Sequence, residues 1–323
     1  MTPLGARFVP NWTTAAGAVE GVLAFLETPL ARHAVMGLTG HAFRLCLGAK
    51  AGVVALPSGP HDLDWERMVR EYARTGWRWE RFGALLAPED DWEPAREAAV
   101  AWTQAHLEAG RPVTGFDFHV REHGVIYGVD VVRGGFLVDD ITSAGGSGFA
   151  PWAEWPTAVG MIELAAPVEP LDLDPLEVIG ESLAWATECL AGRDGPADGQ
   201  PRGTGALRAW ADAFDATTEV DRAGNAYTLA ILQAARLDGA TFLGDLAGAI
   251  PELEAPLRLA ERALRDEAKT LAGLLTLFPF PSGGHGNVTV PGLRRGAAMN
   301  LRSAATFEDR AHEAIREALR ILD

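Results

Sequence analysis

Apolar residues fall at Val19, Val22, Leu23 and Leu26, the three-and-four spacing of a helix with a buried face, so residues 14–26 are predicted as the first helix. Asn11, Thr13 or Thr14 can offer a side-chain oxygen to the orphan amides of its first turn. Short apolar runs at 42–47 and 52–56 then read as strands. A helix follows over 63–74, capped by Asp62, and an aromatic-rich strand over 77–86. A longer helix over 92–109 closes on Gly110 as a left-handed cap ahead of Arg111 and Pro112. Strands are predicted at 113–118, 125–132 and 135–138, the last two joined by a tight turn at Arg133-Gly134-Gly135, because glycine reaches positive φ at little cost.

Beyond residue 165 the period changes. Leu253, Leu257, Leu264, Leu271, Leu275 and Phe278 keep one helical face apolar, with charge at Glu254, Arg258, Glu261, Arg262, Arg265 and Glu267 mostly elsewhere. The pattern repeats over 221–237 and 307–322, with shorter helices at 182–190 and 206–214, as in a helical bundle. Residues 164–175 carry three prolines and read as a linker, and 191–205 as an exposed Gly/Pro/Asp loop. The expectation is therefore an α+β domain with an antiparallel sheet over 1–166, then an all-α domain over 167–323, divided near Pro167. Gly145-Gly146-Ser147-Gly148 leads into Pro151 and Trp152 and not into a helix, so it is read as a flexible loop, not a phosphate cradle.

Composition narrows the partners. A formal net charge of -16 over 323 residues, with Lys50 and Lys269 the only lysines and no basic run, disfavours nucleic acid and anionic membrane surfaces. Small molecules or proteins fit better. No apolar run reaches membrane-span length, and the cytoplasm is the expected location. Cys46 and Cys189 follow no metal or redox spacing and are read as reduced core residues. No cofactor is expected and no metal, because His119 and His123 would share a face only on a helix, whereas their surroundings read as strand. Trp77, Trp79, Trp92, Trp152 and Trp155 either stack a ligand or, more simply, fill a core or an interface.

The chemistry-bearing residues gather around the first helix and the strands after residue 113. His123 opens Gly-Val-Ile-Tyr-Gly-Val-Asp130, and Asp139 ends the next strand, so hairpin pairing would bring both side chains to one end of the sheet. With Gly110-Arg-Pro-Val-Thr-Gly before it and Val138-Asp139-Asp140 after it, this segment resembles the His and Asp half of the papain-like double-glycine leader peptidases and their relatives. Among these, it is most similar to the butirosin-biosynthesis acyltransferase family. Thr14-Ala-Ala-Gly-Ala-Val-Glu-Gly-Val-Leu-Ala-Phe-Leu26 resembles the nucleophile helix of that group, and Met36-Gly-Leu-Thr-Gly-His-Ala-Phe-Arg44 its following Gly-rich segment. The helical part, with Ala-Tyr-Thr-Leu-Ala-Ile-Leu-Gln-Ala-Ala, is similar to the accessory domain of the same family.

The resemblance implies a cleft built on Thr14, His123 and Asp139, with Thr14 where the group carries cysteine. The upstream glutamine that builds an oxyanion hole is replaced in Arg7-Phe8-Val9-Pro10-Asn11-Trp12-Thr13. An internal threonine lacks the N-terminal amine that usually activates threonine nucleophiles. Asn11 and Asp140, beside these positions, are candidate ligand contacts. So are His41 and Arg44, where glycines admit a ligand and a guanidinium can grip a carboxylate, unless Arg44 is held in an internal ion pair. The first expectation is a degenerate papain-like protein that binds a peptide, an amino acid or an acyl-carrier-linked group in a cleft. The alternative is an active amidase, peptidase or acyltransferase using His123 and Asp139, and a third is an assembly protein whose helices form a homo-oligomer.

Overall fold

The computed structural model describes residues 2–50, 53–59, 64–85, 87, 90–143, 148–156, 160–195, 199–216 and 220–322. In chain order the elements are α1 (Thr14–Phe25), α2 (Arg32–Leu38), β1 (Cys46–Lys50), β2 (Val53–Gly59), α3 (Trp65–Glu71), β3 (Trp77–Leu85), α4 (Glu93–Glu108) and β4 (Val113–Phe116). Then come β5 (His123–Asp130), β6 (Gly135–Asp140), β7 (Gly148–Pro151), β8 (Met161–Pro170), α5 (Pro175–Leu190), α6 (Gly203–Asp215), α7 (Arg222–Ala249), α8 (Glu254–Leu277) and α9 (Pro291–Leu322). The result is α+β with a helical C-terminal region. Asp62 as a cap and the 145–147 loop lie outside the described residues.

The chain forms two compact units, 1–35 with 65–173 and 36–64 with 174–323. The sequence suggested one crossing near Pro167, but that residue lies inside β8, and the hairpin of β1 and β2 belongs with the late helices.

In the first unit six strands, among the described residues, pair antiparallel in the order β3-β8-β4-β5-β6-β7. The expected linker at 164–175 is corrected here: its first half is β8, an inner strand of the sheet. Pro167 is tolerated because β8 pairs β4 only at Ala165 and Leu164, and on its other side Pro167 meets Trp79 at a bulge. Alternation then sorts the faces. Val113, Ile126, Val138 and Leu164 pack with Ala99 and Leu107 of α4 around the buried Trp155, whereas His123, Val125 and Asp139 point to the opposite face. Gly134 and Gly110 both take the predicted left-handed conformation, at φ 68° and 74°. Trp155 and Trp79 are core residues, as the simpler reading of the tryptophans has it.

In the second unit α9 lies against α5, α6 and α8, and α7 against α8. Leu207, Trp210, Phe214, Leu232, Leu271, Phe278 and Leu301 share one core with Leu45 and Leu47. Each such burial contributes about 1.5–3 kcal/mol. The buried face of α9 is mostly alanine, Ala297, Ala298, Ala304, Ala305, Ala311 and Ala318, which lets its neighbours approach closely. The Arg294 guanidinium donates to the carbonyls of Ala213, Phe214 and Ala216, closing the end of α6, and to Val288.

At the centre of this unit Arg236, with no solvent exposure, donates to Glu267 at 3.1 Å and Glu308 at 3.0 Å, both equally buried, and to the carbonyls of Ala42 and Arg44. Burial outweighs the attraction of Arg236 and pushes the Glu308 carboxyl up to about 7, and Glu267 well above its ordinary range. The cluster therefore retains a proton near neutrality, leaving one positive and one negative charge. No helix among the described residues is long and apolar enough to cross a membrane.

Candidate functional site

The predicted first helix begins at Thr14, and the chain ahead of it explains why. Asn11 Oδ1 accepts the Thr13 amide at 3.0 Å, a side-chain turn that ends the extended segment. That segment runs tightly along α1: a β-carbon on Gly17 would lie 2.3 Å from the Val9 carbonyl oxygen, and one on Gly21 1.8 Å from that of Arg7. The same segment reaches β6, where the Phe8 amide donates to the Asp139 carboxylate at 3.0 Å.

Thr14 links α1 to the start of β5. Its hydroxyl accepts the backbone N–H of His123 at 3.1 Å and donates to Glu122 Oε2 at 2.5 Å. The side chain is 6% exposed. Both hydrogen bonds of the hydroxyl thus go to groups other than the His123 ring. The imidazole itself is buried, with its centroid 5.4 Å from Trp65 and 5.1 Å from Phe116. Because Val125 pairs with Asp139, His123 and Asp139 share a face one diagonal step apart, as the hairpin reading required. The Asp139 carboxylate nevertheless takes its hydrogen bond from Phe8. Thr14, His123 and Asp139 therefore stand together as three anchored residues, not as a hydrogen-bonded relay.

Asp140 faces the other way and organises the turn after β6. One oxygen lies 2.7 Å from His119 Nδ1; the other accepts Thr142 N–H, the Thr142 hydroxyl and the Ser143 hydroxyl. Burial would raise its carboxyl, but the hydrogen bonds from Thr142 and His119 win and hold it below the usual range. Its acceptor capacity is thus filled from within the chain. His119 belongs to this turn, and among the described residues no cluster of three metal-ligating side chains exists.

No family model and no curated protein matches this chain.

His41 and Arg44 belong to the second unit, so the sequence candidates fall into two groups. His41 Nδ1 lies 2.7 Å from the Thr39 hydroxyl. Arg44, 1% exposed, forms an ion pair with Asp194 at 3.5 Å and lies 5.1 Å from the Trp185 ring. The internal ion pair foreseen as the alternative for Arg44 is thus present. Cys46 and Cys189 are buried free thiols, Cys46 donating to Gln200 Oε1 at 3.1 Å.

Two residues escaped sequence reasoning. Glu122 stands next to His123 but carries no motif, and Asp194 sits in a stretch read only as loop. Two buried polar atoms near Thr14, Asn11 Nδ2 and Thr13 Oγ1, have no hydrogen-bond partner. Groups of that kind are costly unless a partner arrives from outside the chain.

Proposed function

We propose that this protein is a degenerate papain-like protein that binds a peptide, an amino acid or an acyl-carrier-linked group without cleaving it. The observation that carries the reading is the state of Thr14, whose hydroxyl is held between the Glu122 carboxylate and the His123 amide. A nucleophile needs its proton drawn toward a base and an open approach to the carbonyl. Here the His123 N–H, which could otherwise serve an oxyanion, is turned onto Thr14 itself. The unpartnered Asn11 Nδ2 and Thr13 Oγ1 support binding, since an incoming carbonyl would satisfy them.

Acyl transfer from Thr14 has one observation in its favour, the short bond to Glu122, which sets a carboxylate against the hydroxyl. A carboxylate is a far weaker base than a threonine alkoxide, so this contact alone gives little activation. A panel of acyl thioesters, esters and amides assayed with wild type and Thr14→Ala separates the two readings. Equal silence from both proteins is expected. Turnover by wild type that Thr14→Ala abolishes would establish catalysis instead.

A further inference from the structure

We propose that His119 is a proton-operated latch that ties the turn between β4 and β5 to the edge strand β7 and releases it as pH rises. It goes beyond the binding reading and involves no ligand. Each nitrogen of the imidazole meets a group that can only accept: Nδ1 lies 2.7 Å from Asp140 Oδ2, and Nε2 lies 3.3 Å from the Phe149 carbonyl oxygen. Although burial would raise it, the hydrogen bonds from Thr142 and His119 keep the Asp140 carboxyl ionised. A neutral imidazole has one N–H and one lone pair and can satisfy only one of these acceptors, whereas the imidazolium donates to both. The arrangement is that of the protonated ring. On deprotonation the remaining proton stays on Nδ1, against the carboxylate, and the Nε2 lone pair is left facing the Phe149 carbonyl.

The elements joined by this contact are lightly held. β7 is four residues long, lies at the end of the sheet and, among the described residues, pairs only with β6. The ring sits directly on its first residue: a β-carbon on Gly148 would lie 2.6 Å from His119 Cε1. In the turn, Asp117 has a left-handed φ of 64°, a conformation that a non-glycine residue keeps only where its surroundings impose it. The Asp117 N–H donates to the Glu122 carbonyl, and the Glu122 N–H to that of Val120. Glu122 also receives the Thr14 hydroxyl, so the latch acts on the residue that holds Thr14. Besides Asp140, the charged groups around the ring are Asp117, Arg121 and Glu122 in its own turn, and Arg133, which lies 3.7 Å from the Phe149 ring centroid and pairs with Asp130. Residues 144–147 are Ala-Gly-Gly-Ser and add no ionisable group. Histidine is the side chain of this set whose charge ordinarily changes between about pH 5 and 8.

The test is nitrogen NMR of the full chain with isotope-labelled histidine rings at about pH 5.5 and about pH 8.5, either side of the ordinary histidine transition, with His119→Gln assigning the signals. At the lower pH both ring nitrogens of His119 should carry protons. At the higher pH the neutral ring should keep its proton on Nδ1, the tautomer that free histidine disfavours. Amide exchange at Asp117 and Glu122, corrected for the intrinsic pH dependence of exchange, should be about fivefold faster at the higher pH, the equivalent of one hydrogen bond. His119→Gln should abolish that difference. The ring is 27% exposed, so the substitution leaves the core untouched; should the variant fail to fold, the wild-type spectra and exchange decide. A neutral ring protonated on Nε2, corrected exchange that is the same at the two pH values, or a difference that persists in His119→Gln overturns the proposal.

Discussion

Replacing Arg236 by methionine removes the guanidinium that pairs with both Glu267 and Glu308, neither of which touches solvent. With Arg236 present the pair retains one proton near neutrality; without it the second carboxyl must also be neutral, so the variant takes up one extra proton on folding. Holding a carboxyl of ordinary pKa near 4.5 protonated at pH 7.5 costs about 4 kcal/mol, and at pH 5.5 about 1.4 kcal/mol. Arg236→Met should therefore lose about 4 kcal/mol at pH 7.5, in the range for breaking a buried ion pair, and recover more than half of that at pH 5.5. Glu308→Gln, which resembles the protonated carboxyl, should cost under about 1 kcal/mol at pH 7.5. Urea titrations followed by helical circular dichroism at both pH values measure this, using the transition that carries most of the helical signal. An Arg236→Met loss that is the same at the two pH values would refute the shared-proton account. In wild type the sign is the same: because both carboxyls are raised in the fold, their contribution to stability falls as pH rises from about 4.5 through about 7.

Four further outcomes follow from the packing. Thr14→Val should destabilise the first unit by about 1–3 kcal/mol, by leaving the buried His123 amide without the hydroxyl that accepts it, with thermal unfolding as the readout. Gly21→Ala should displace the 7–9 segment and break the Phe8 to Asp139 hydrogen bond, seen as faster amide exchange at Phe8; unchanged exchange would contradict the close approach of Arg7. The stabilisation from Asp140, whose carboxyl is depressed, is present above its unfolded value and lost as pH falls through the folded one, and His119→Ala should move that loss to higher pH in an acid titration. Arg294→Ala should cost about 2–4 kcal/mol, since three carbonyls at the end of α6 and that of Val288 lose a charged donor.

Much of the architecture is visible in the pattern of the chain, and its failures share a cause. The 14–26 and 92–109 helices and the turn at Gly134 are legible because spacing, caps and glycine conformation are local properties. β8 is hidden by its prolines: whether Pro167 breaks a strand depends on which neighbour reaches it, and that is decided by pairing with distant strands. The first half of α9 is hidden by alanines, which signal burial weakly, although they line its packed face. The strand expected at 42–47 begins only at Cys46, because Thr39 to Arg44 forms the turn that supplies carbonyls to Arg236. At the site, His123 and Asp139 are legible as neighbours from strand order alone. Glu122 as the partner of Thr14, and Phe8 as that of Asp139, depend on where the extended N-terminal segment comes to lie.

The placement of β1 and β2 with the late helices also has a consequence for synthesis. Leu45 and Leu47 emerge early, but the residues that cover them, Trp210, Leu271 and Leu301 among them, emerge much later. At about 5–20 residues per second, that delay amounts to roughly 10–50 s on the ribosome. During it the 65–173 strands can already assemble, while Leu45 and Leu47 wait for their core. A nascent chain halted after residue 173 would carry those two leucines uncovered, and is where a holding chaperone would be expected to engage this protein.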